Sequence, residues 1–454
     1  MLDVPDAGSG KIGSVAPARR TPDRAGAERA RLRIAPVSSS GSSPYGSEPG
    51  ALISVLDNGL RIITRSRGET RAVALNLAVL AGSRDEDASA AGAAHVMEHL
   101  FFQGTETAPT PDDVVGPIVA KGGTFNASTE REMIGFFVDA PGTALTVALD
   151  RLSDVIVHAR FDGSRLEKVR GVVIEELRRR ANDASQLARD TFFDLVLAEH
   201  PARHSPGGTP ENVRAIDLDA LQRYRSERFR AGNMVLAVVG CLDHDSVVQQ
   251  VQHGLGALPG GDSPRDLVAP PRSTGAQREL RAGRTTAQIV LGFCTPGLHS
   301  GERFRLAVTA AILGRAGRRL RRELREDRGL TYSVSAQYGA LSDVGVFSIA
   351  TAVDTDRCDE ALDAIASELQ RLRENGVSDA ELAMAAGYIE GRTYLHEERN
   401  LAQARRISGQ ELLGAPQSLD DYVHQIQQVT TANVQDAAQE YLDATRAVRV
   451  VVRP

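Results

Sequence analysis

Two histidines and a glutamate fall within five residues of this chain, in Ala94-His95-Val96-Met97-Glu98-His99-Leu100-Phe101-Phe102. On a helix, His95 and His99 are four apart and share a face. Two imidazoles in that register can grip one divalent ion, and zinc is the usual partner of such a pair. Glu98 lies three residues from His95, near enough to reach a water at the metal without being a ligand itself. The order H-x-x-E-H is that of the inverted zincins. Gly92-Ala93-Ala94 before the motif and the apolar Leu100-Phe101-Phe102 after it suit a helix that ends near Gly104. The plain alternative is a helix with two satisfied histidines and a surface glutamate. A catalytic zinc usually takes three protein ligands and keeps one position open. Downstream, Val169 to Leu177 is an apolar segment with two consecutive acids, Glu175 and Glu176. Either could be a solvated residue at the edge of a buried helix.

Several stretches decide between these readings when taken together. Gly82-Ser83-Arg84-Asp85-Glu86, Ala94 to His99, Phe102-Gln103-Gly104-Thr105, Gly122 to Thr129 and Val172 to Leu177 resemble the pitrilysin/insulinase (M16) family of zinc peptidases, in its short two-domain form. The resemblance runs over roughly residues 52–454. It implies that Glu176, after seventy-six intervening residues from His99, is the third ligand of one Zn²⁺ per chain. It implies that Glu98 is the general base and that Asn126 binds substrate backbone. It also implies that Arg325, followed seven residues later by Tyr332, contacts substrate, with Tyr332 assisting the carbonyl oxygen. By themselves Arg325 reads as a surface ion pair and Tyr332 as a half-buried strand aromatic. One position departs from the family: seven residues before Glu176, where many active members carry an acid, stands Val169, with Glu167 and Glu175 nearby. Ligating histidines need outer partners to fix their tautomer, so that shell is expected to be built differently here.

The chemistry this predicts is hydrolysis of unstructured peptides. Zinc on His95, His99 and Glu176 lowers the pKa of a bound water to roughly 7. Glu98 takes the proton and returns it to the leaving amine. The competing class is a catalytically silent, peptide-binding or structural subunit of the same fold. Silent members usually lose motif residues, and this chain keeps all four. Within the enzyme class, general oligopeptide turnover and maturation of one precursor or leader peptide both remain open. The family surrounds one chamber with four related domains, and this chain supplies two. A dimer is therefore expected, with the second domain of one chain facing the first of the other. Both motifs in one chain favour a homodimer over a heterodimer with a related subunit.

The elements that must position these residues follow from pattern. Ser54 to Ile63 reads as a hairpin with Asn58-Gly59 at its turn. Ala72 to Leu80 and Phe136 to Val138 read as strands, and Met234 to Gly240 as a buried one. A helix follows Pro141, with Leu145, Leu149, Leu152 and Ile156 at helical spacing. Another carries Glu176, and a third runs from about Leu218 to Phe229. Leu258 to Gly275 is rich in Pro and Gly and marks a boundary. Beyond it come a strand at Ala287 to Phe293, a helix from Phe304 to about Leu324 and a strand at Val346 to Ala350. Ala361-Leu362-Asp363 echoes Ala148-Leu149-Asp150, and Val448 to Val452 echoes Val235 to Val239. This is a duplication, with a period far longer than that of solenoid repeats. The second copy has no H-x-x-E-H; its matching region, Ala307 to Gly314, is apolar.

The predicted fold class is α+β: two homologous domains, each a mostly antiparallel sheet with helices on one face, together half of a clamshell. The expected organisation is a loose tail over 1–50, a catalytic domain over 51–258, a linker over 259–275 and a non-metal domain over 276–454. The tail's Ser and Arg content raises a transit peptide as an alternative, which its acids oppose. Net charge is −6, from 53 basic and 59 acidic residues, which suggests neither nucleic acid nor an anionic membrane as partner. The three cysteines, Cys241, Cys294 and Cys358, are scattered and fit a reducing compartment. No stretch has the length of a membrane span, and no signal peptide is evident, so a bacterial cytoplasmic location is expected.

Overall fold

The computed structural model describes residues 31–32, 50–282 and 285–454. Of the expected tail, only Arg31–Leu32 and Gly50 fall among them. Arg31–Leu32 is β1, paired antiparallel with the two-residue β8, Arg265–Asp266. The rest of that expectation lies outside the described residues.

The first sheet contains β2 (Ala51–Val55), β3 (Arg61–Ser66), β4 (Ala72–Val79), β5 (Thr124–Thr129), β6 (Ile134–Pro141) and β7 (Met234–Gly240). Their order is β2-β3-β7-β4-β6-β5, and only β3 and β7 run parallel. β2 and β3 form the predicted hairpin, with Gly59 at a φ of +94° in its connection. The second sheet contains β9 (Gln277–Arg281), β10 (Ala287–Pro296), β11 (Val334–Ala340), β12 (Val344–Val353) and β13 (Val448–Arg453), in the order β11-β12-β10-β13-β9. Its one parallel pair is β13 with β9. Strand for strand, β9-β13-β10-β12-β11 repeats β3-β7-β4-β6-β5, which is the duplication read from the sequence.

Eight helices accompany the first sheet: α1 (Ala93–Phe101), α2 (Pro111–Val119), α3 (Leu145–His158), α4 (Gly163–Ala181), α5 (Ala184–Leu197), α6 (Pro210–Ala215), α7 (Leu218–Arg228) and α8 (His244–Leu255). Seven accompany the second: α9 (Glu302–Leu313), α10 (Arg319–Arg321), α11 (Cys358–Asn375), α12 (Asp379–Glu397), α13 (Asn400–Leu412), α14 (Leu419–Gln427) and α15 (Thr431–Tyr441). The single helix expected from Phe304 to about Leu324 is divided. It stops at Leu313, Arg318 takes a φ of +57°, and α10 runs into a π-helical turn over Arg322–Asp327. Gly317 marks the break, since a Cβ there would lie 2.3 Å from the Ile312 carbonyl oxygen. The apolar pattern continues across this bend, which is why the sequence reads as one helix.

Each sheet is apolar on both faces. Along β7, Met234, Leu236 and Val238 join the core beneath the first half's own helices, while Val235, Ala237 and Val239 point the other way. That second face is covered by Ala404, Ile407 and Leu412 of α13, a helix of the other half. The exchange is reciprocal. Val290 on β10 and Val448, Val450 and Val452 on β13 pack against Ala184, Ala188, Phe192 and Val196 of α5. Gly292 makes room for it: a Cβ there would sit 2.9 Å from the Phe192 ring. Burying a leucine or isoleucine side chain is worth about 1.5–3 kcal/mol, so this exchange ties the halves together strongly.

A buried ionic cluster adds direction to that tie. Arg84 reaches Glu132 at 2.6 Å and grips Asp343 with two hydrogen bonds, at 2.9 and 2.8 Å. Arg265, from the connecting segment, binds Asp85 and Glu132, and Glu132 also accepts from the backbone and hydroxyl of Ser342. Arg84, Glu132 and Arg265 are each less than a tenth exposed. Burial would push the Asp343 carboxyl up, but hydrogen bonds from His200 and Arg84 hold it well below the usual carboxylate range. An acid with a lowered folded pKa contributes stability above its unfolded value of about 3.9, and loses it only as pH falls toward the folded one. Asp343→Asn is therefore expected to cost about 3–5 kcal/mol in urea denaturation at neutral pH. The gap from the parent should stay constant down to about pH 5 and narrow only below about pH 4. A gap that has already closed by mildly acidic pH would contradict this account.

Candidate metal centre

Helix α1 begins at Gly92, whose φ of +98° and 2.8 Å clearance from the Gly207 carbonyl suit no other residue. Its free N–H groups are capped from a distance. The Glu86 carboxylate accepts from the amides of Gly92 at 2.8 Å and Ala94 at 2.7 Å, a favourable place for negative charge. Burial pushes this carboxyl up to about 8, against the pull of the two amides. Val96, Met97, Leu100 and Phe101 face the core, with Phe101 edge-on to Phe136 at 5.1 Å. That burial sets the rotation of the helix and turns His95, Glu98 and His99 to its other side.

Helix α4 buries Leu166, Val169, Val173 and Leu177 at spacings of three and four, in the same core as α1. Glu176 sits at the margin of that stripe and points to the histidines. The Nε2 atoms of His95 and His99 are 3.2 Å apart, and Glu176 Oε2 lies 3.8 Å from the first and 3.6 Å from the second. Among the described residues, these are the one group of three or more His, Cys, Asp or Glu with donor atoms converging as a metal site requires. The donor set suits zinc. Burial, with smaller contributions from His99 and Arg180, lowers His95 to about 4, so its ring is neutral at neutral pH and one of its two nitrogens carries no proton.

Glu98 does not join the ligand set. It accepts a short hydrogen bond from the Thr129 hydroxyl at the end of edge strand β5. Burial raises its carboxyl above the ordinary value, with Glu176 acting the same way and Thr129 and His99 opposing. Asn126 is exposed on the same strand, and its side-chain oxygen accepts from the Ala127 amide at 2.8 Å. Val169 is fully absorbed in the core. His95 Nδ1 is buried with no hydrogen-bond partner among the described residues, so no acceptor there fixes its tautomer.

Arg325 and Tyr332 are brought to each other. The guanidinium lies 4.6 Å over the ring and donates to the Tyr332 carbonyl at 3.1 Å. Tyr332 is 82% exposed, not half-buried as a strand aromatic would be. The pair lines a cavity beside the one that holds His95 and Glu98. The latter encloses about 750 Å³, and its far wall is Ser335, Gln337 and Tyr338 of β11 with Val346 and Ser348 of β12. Glu86 and Thr129 lie in stretches that carry the family resemblance, but sequence reasoning gave neither of them a role. Glu86 precedes the helix it caps by several residues, outside any local capping pattern. Thr129 lies thirty-one residues from Glu98, and nothing local links them.

A duplicated α+β fold with one inverted-zincin helix, completed by a glutamate from a second helix, defines a class of zinc metallopeptidase. The family model described as "Insulinase (Peptidase family M16)" matches residues 61–202, and that described as "Peptidase M16 inactive domain" matches residues 215–387. A protein of Mycobacterium bovis described as an uncharacterized zinc protease is 32% identical over 396 residues, 85% of this chain and 90% of that protein. One from Bacillus subtilis with the same description is 26% identical over 399 residues, covering 87% and 96%. A protease from Helicobacter pylori superposes with a TM-score of 0.84 at 21% identity, over 89% of this chain and 100% of the other. A peptidase M16 inactive domain from Pseudomonas fluorescens gives 0.81 at 20% identity, over 89% and 98%. The chain belongs to the M16 insulinase family of peptidases. The match of the second half to a domain called inactive agrees with its apolar α9, which carries none of the ligands. No helix among the described residues is long and apolar enough to cross a membrane.

Elemental analysis after zinc reconstitution is expected to find about one zinc per chain. Glu176→Ala should lose most of it, and Glu98→Gln should keep it. Equal metal retention by both variants would remove Glu176 from the ligand set.

Proposed function

We propose that this protein is a zinc metalloendopeptidase that hydrolyses unstructured peptides, with Glu98 as general base. The observation that carries this is the convergence of His95, His99 and Glu176 on one point, beside a Glu98 that Thr129 holds out of the ligand set. Zinc held by those three residues supplies a Lewis acid that makes water acidic enough to ionise near neutral pH. The protein's own part is to place and move the proton. Glu98, raised by burial, is suited to accept a proton from water and to deliver it to the leaving amine. The free edge of β5, with Asn126 on it, offers backbone partners to an extended peptide. Tyr332 supplies a donor for the carbonyl oxygen and Arg325 orients it. The substrate is a flexible chain, with a precursor or leader peptide as one candidate. A silent peptide-binding subunit is the second reading, and the unpartnered His95 Nδ1 with Val169 nearby on α4 is what favours it.

The assembly we infer is a homodimer, in which Tyr332 and Arg325 of one chain act on a peptide at the partner's metal. The exposure of Tyr332, which leaves its ring open to a peptide held by a partner, supports this. The bacterial cytoplasm is the compartment proposed, and the three unpaired cysteines are compatible with it.

Glu98→Gln is expected to lower kcat on an unstructured peptide by about 10²–10⁴-fold with zinc retained. Hydrolysis at the parental rate would remove Glu98 from the mechanism. Mixing an inactive Glu98→Gln chain with an inactive Tyr332→Phe chain should restore part of the activity, because one chamber of the mixed dimer has both groups intact. A fully active monomer at micromolar concentration, or a mixture of exchanging subunits that stays dead, would rule out the arrangement in trans.

A further inference from the structure

The cavity at His95 and Glu98 continues into a second one of about 680 Å³, and the two share Arg189, Val290, Ser335 and Ala350. Five arginines line the second cavity: Arg189, Arg315, Arg318, Arg321 and Arg325. Among the described residues, no carboxylate lines it. The chain as a whole has an excess of acids, 59 against 53 basic residues, so composition does not account for this reversal of sign. Counter-charge is sparse. Glu326 serves both Arg318, at 2.7 Å, and Arg321, at 3.3 Å. Among the described residues, Arg189 donates to Gln186, and Arg325 to the Tyr332 carbonyl. Arg315 has no carboxylate partner among the described residues. Arg315, Arg318 and Arg321 are exposed and can reach a bound molecule.

The backbone beneath them points the same way. Arg318 adopts a φ of +57°, costly for a residue with a Cβ, and α10 passes into a π-helical turn. Such departures persist where the fold holds side chains in place for use. β11 is the edge of the second sheet, and its Ser335 lines both cavities, so an extended chain bound across the first can follow that edge into the second.

We propose that the peptide this site takes carries acidic residues to one side of the scissile bond, seated on Arg315, Arg318 and Arg321. This rests on the peptidase reading above and names its substrate class. A peptide fits better than a nucleic acid, because the path is a strand edge with few aromatic faces on which bases could stack.

The test measures binding apart from hydrolysis. Fluorescent peptides of equal length, with glutamates, glutamines or lysines on one flank, are titrated by anisotropy against the zinc-loaded Glu98→Gln protein. The glutamate peptide is expected to bind about tenfold or more tighter than the lysine peptide, with a difference that shrinks as salt is raised. Arg315→Glu with Arg321→Glu, both exposed positions, should abolish or invert the preference while zinc content and melting temperature stay at the parental values. Equal or tighter binding of the lysine peptide overturns the proposal. So does an unchanged preference in the charge-reversed variant, or displacement of the peptide by a single-stranded oligonucleotide of matched charge with equal affinity. If the wild-type protein cleaves none of these peptides while the binding preference holds, the peptidase reading fails and the acidic-ligand site stands.

Discussion

Both faces of each sheet carry apolar side chains, so each sheet needs cover on both sides. The structure meets this constraint by exchange: α13 lies on the second face of the first sheet and α5 on that of the second. Other features follow from it. The two halves are held at a fixed spacing, their edge strands β5 and β11 are left free, and walls from both halves bound the metal cavity. The buried cluster of Arg84, Asp85, Glu132, Arg265 and Asp343 then adds what apolar packing lacks, a directional register between the halves.

The candidate metal centre is a local consequence of helix packing. α1 and α4 share one core, and the residues at the margin of their contact are His95, His99 and Glu176. Because Val96, Leu100, Val173 and Leu177 are fully or nearly fully buried, the helices have little freedom to rotate, and the ligand atoms are held within 4.8 Å of one another. Glu86 fixes one end of α1 and Thr129 fixes the carboxylate of Glu98. The arrangement leaves Glu98 beside the three converging donors and hydrogen-bonded to Thr129.

Much of this was legible in the chain. The i, i+4 histidines announce a shared helical face, and the runs at Ala72 to Leu80 and Met234 to Gly240 announce strands, the second of them buried. The duplication was visible as echoes around Val235 and Val448, though not the order of strands in either sheet. What stayed hidden was non-local. Nothing in the sequence of α5 says that its apolar face meets β13 and not a strand of its own half. The partner of Glu98 and the cap of α1 are residues whose types are common in any loop or strand end. The bend after α9 was hidden for the opposite reason: Gly314 and Gly317 were in plain view, but the continuous apolar pattern outweighed them.

The exchanged helices also decide what kind of motion this chain can perform. Swinging the halves apart would strip Ile407 and Leu412 from one sheet and Phe192 and Val196 from the other, exposing two apolar faces to water at once. A hinge through the linker is therefore closed to it, although the chain has the outline of two lobes. The lobes are thereby coupled through both sheets at once, and neither can move without disturbing the other's apolar cover.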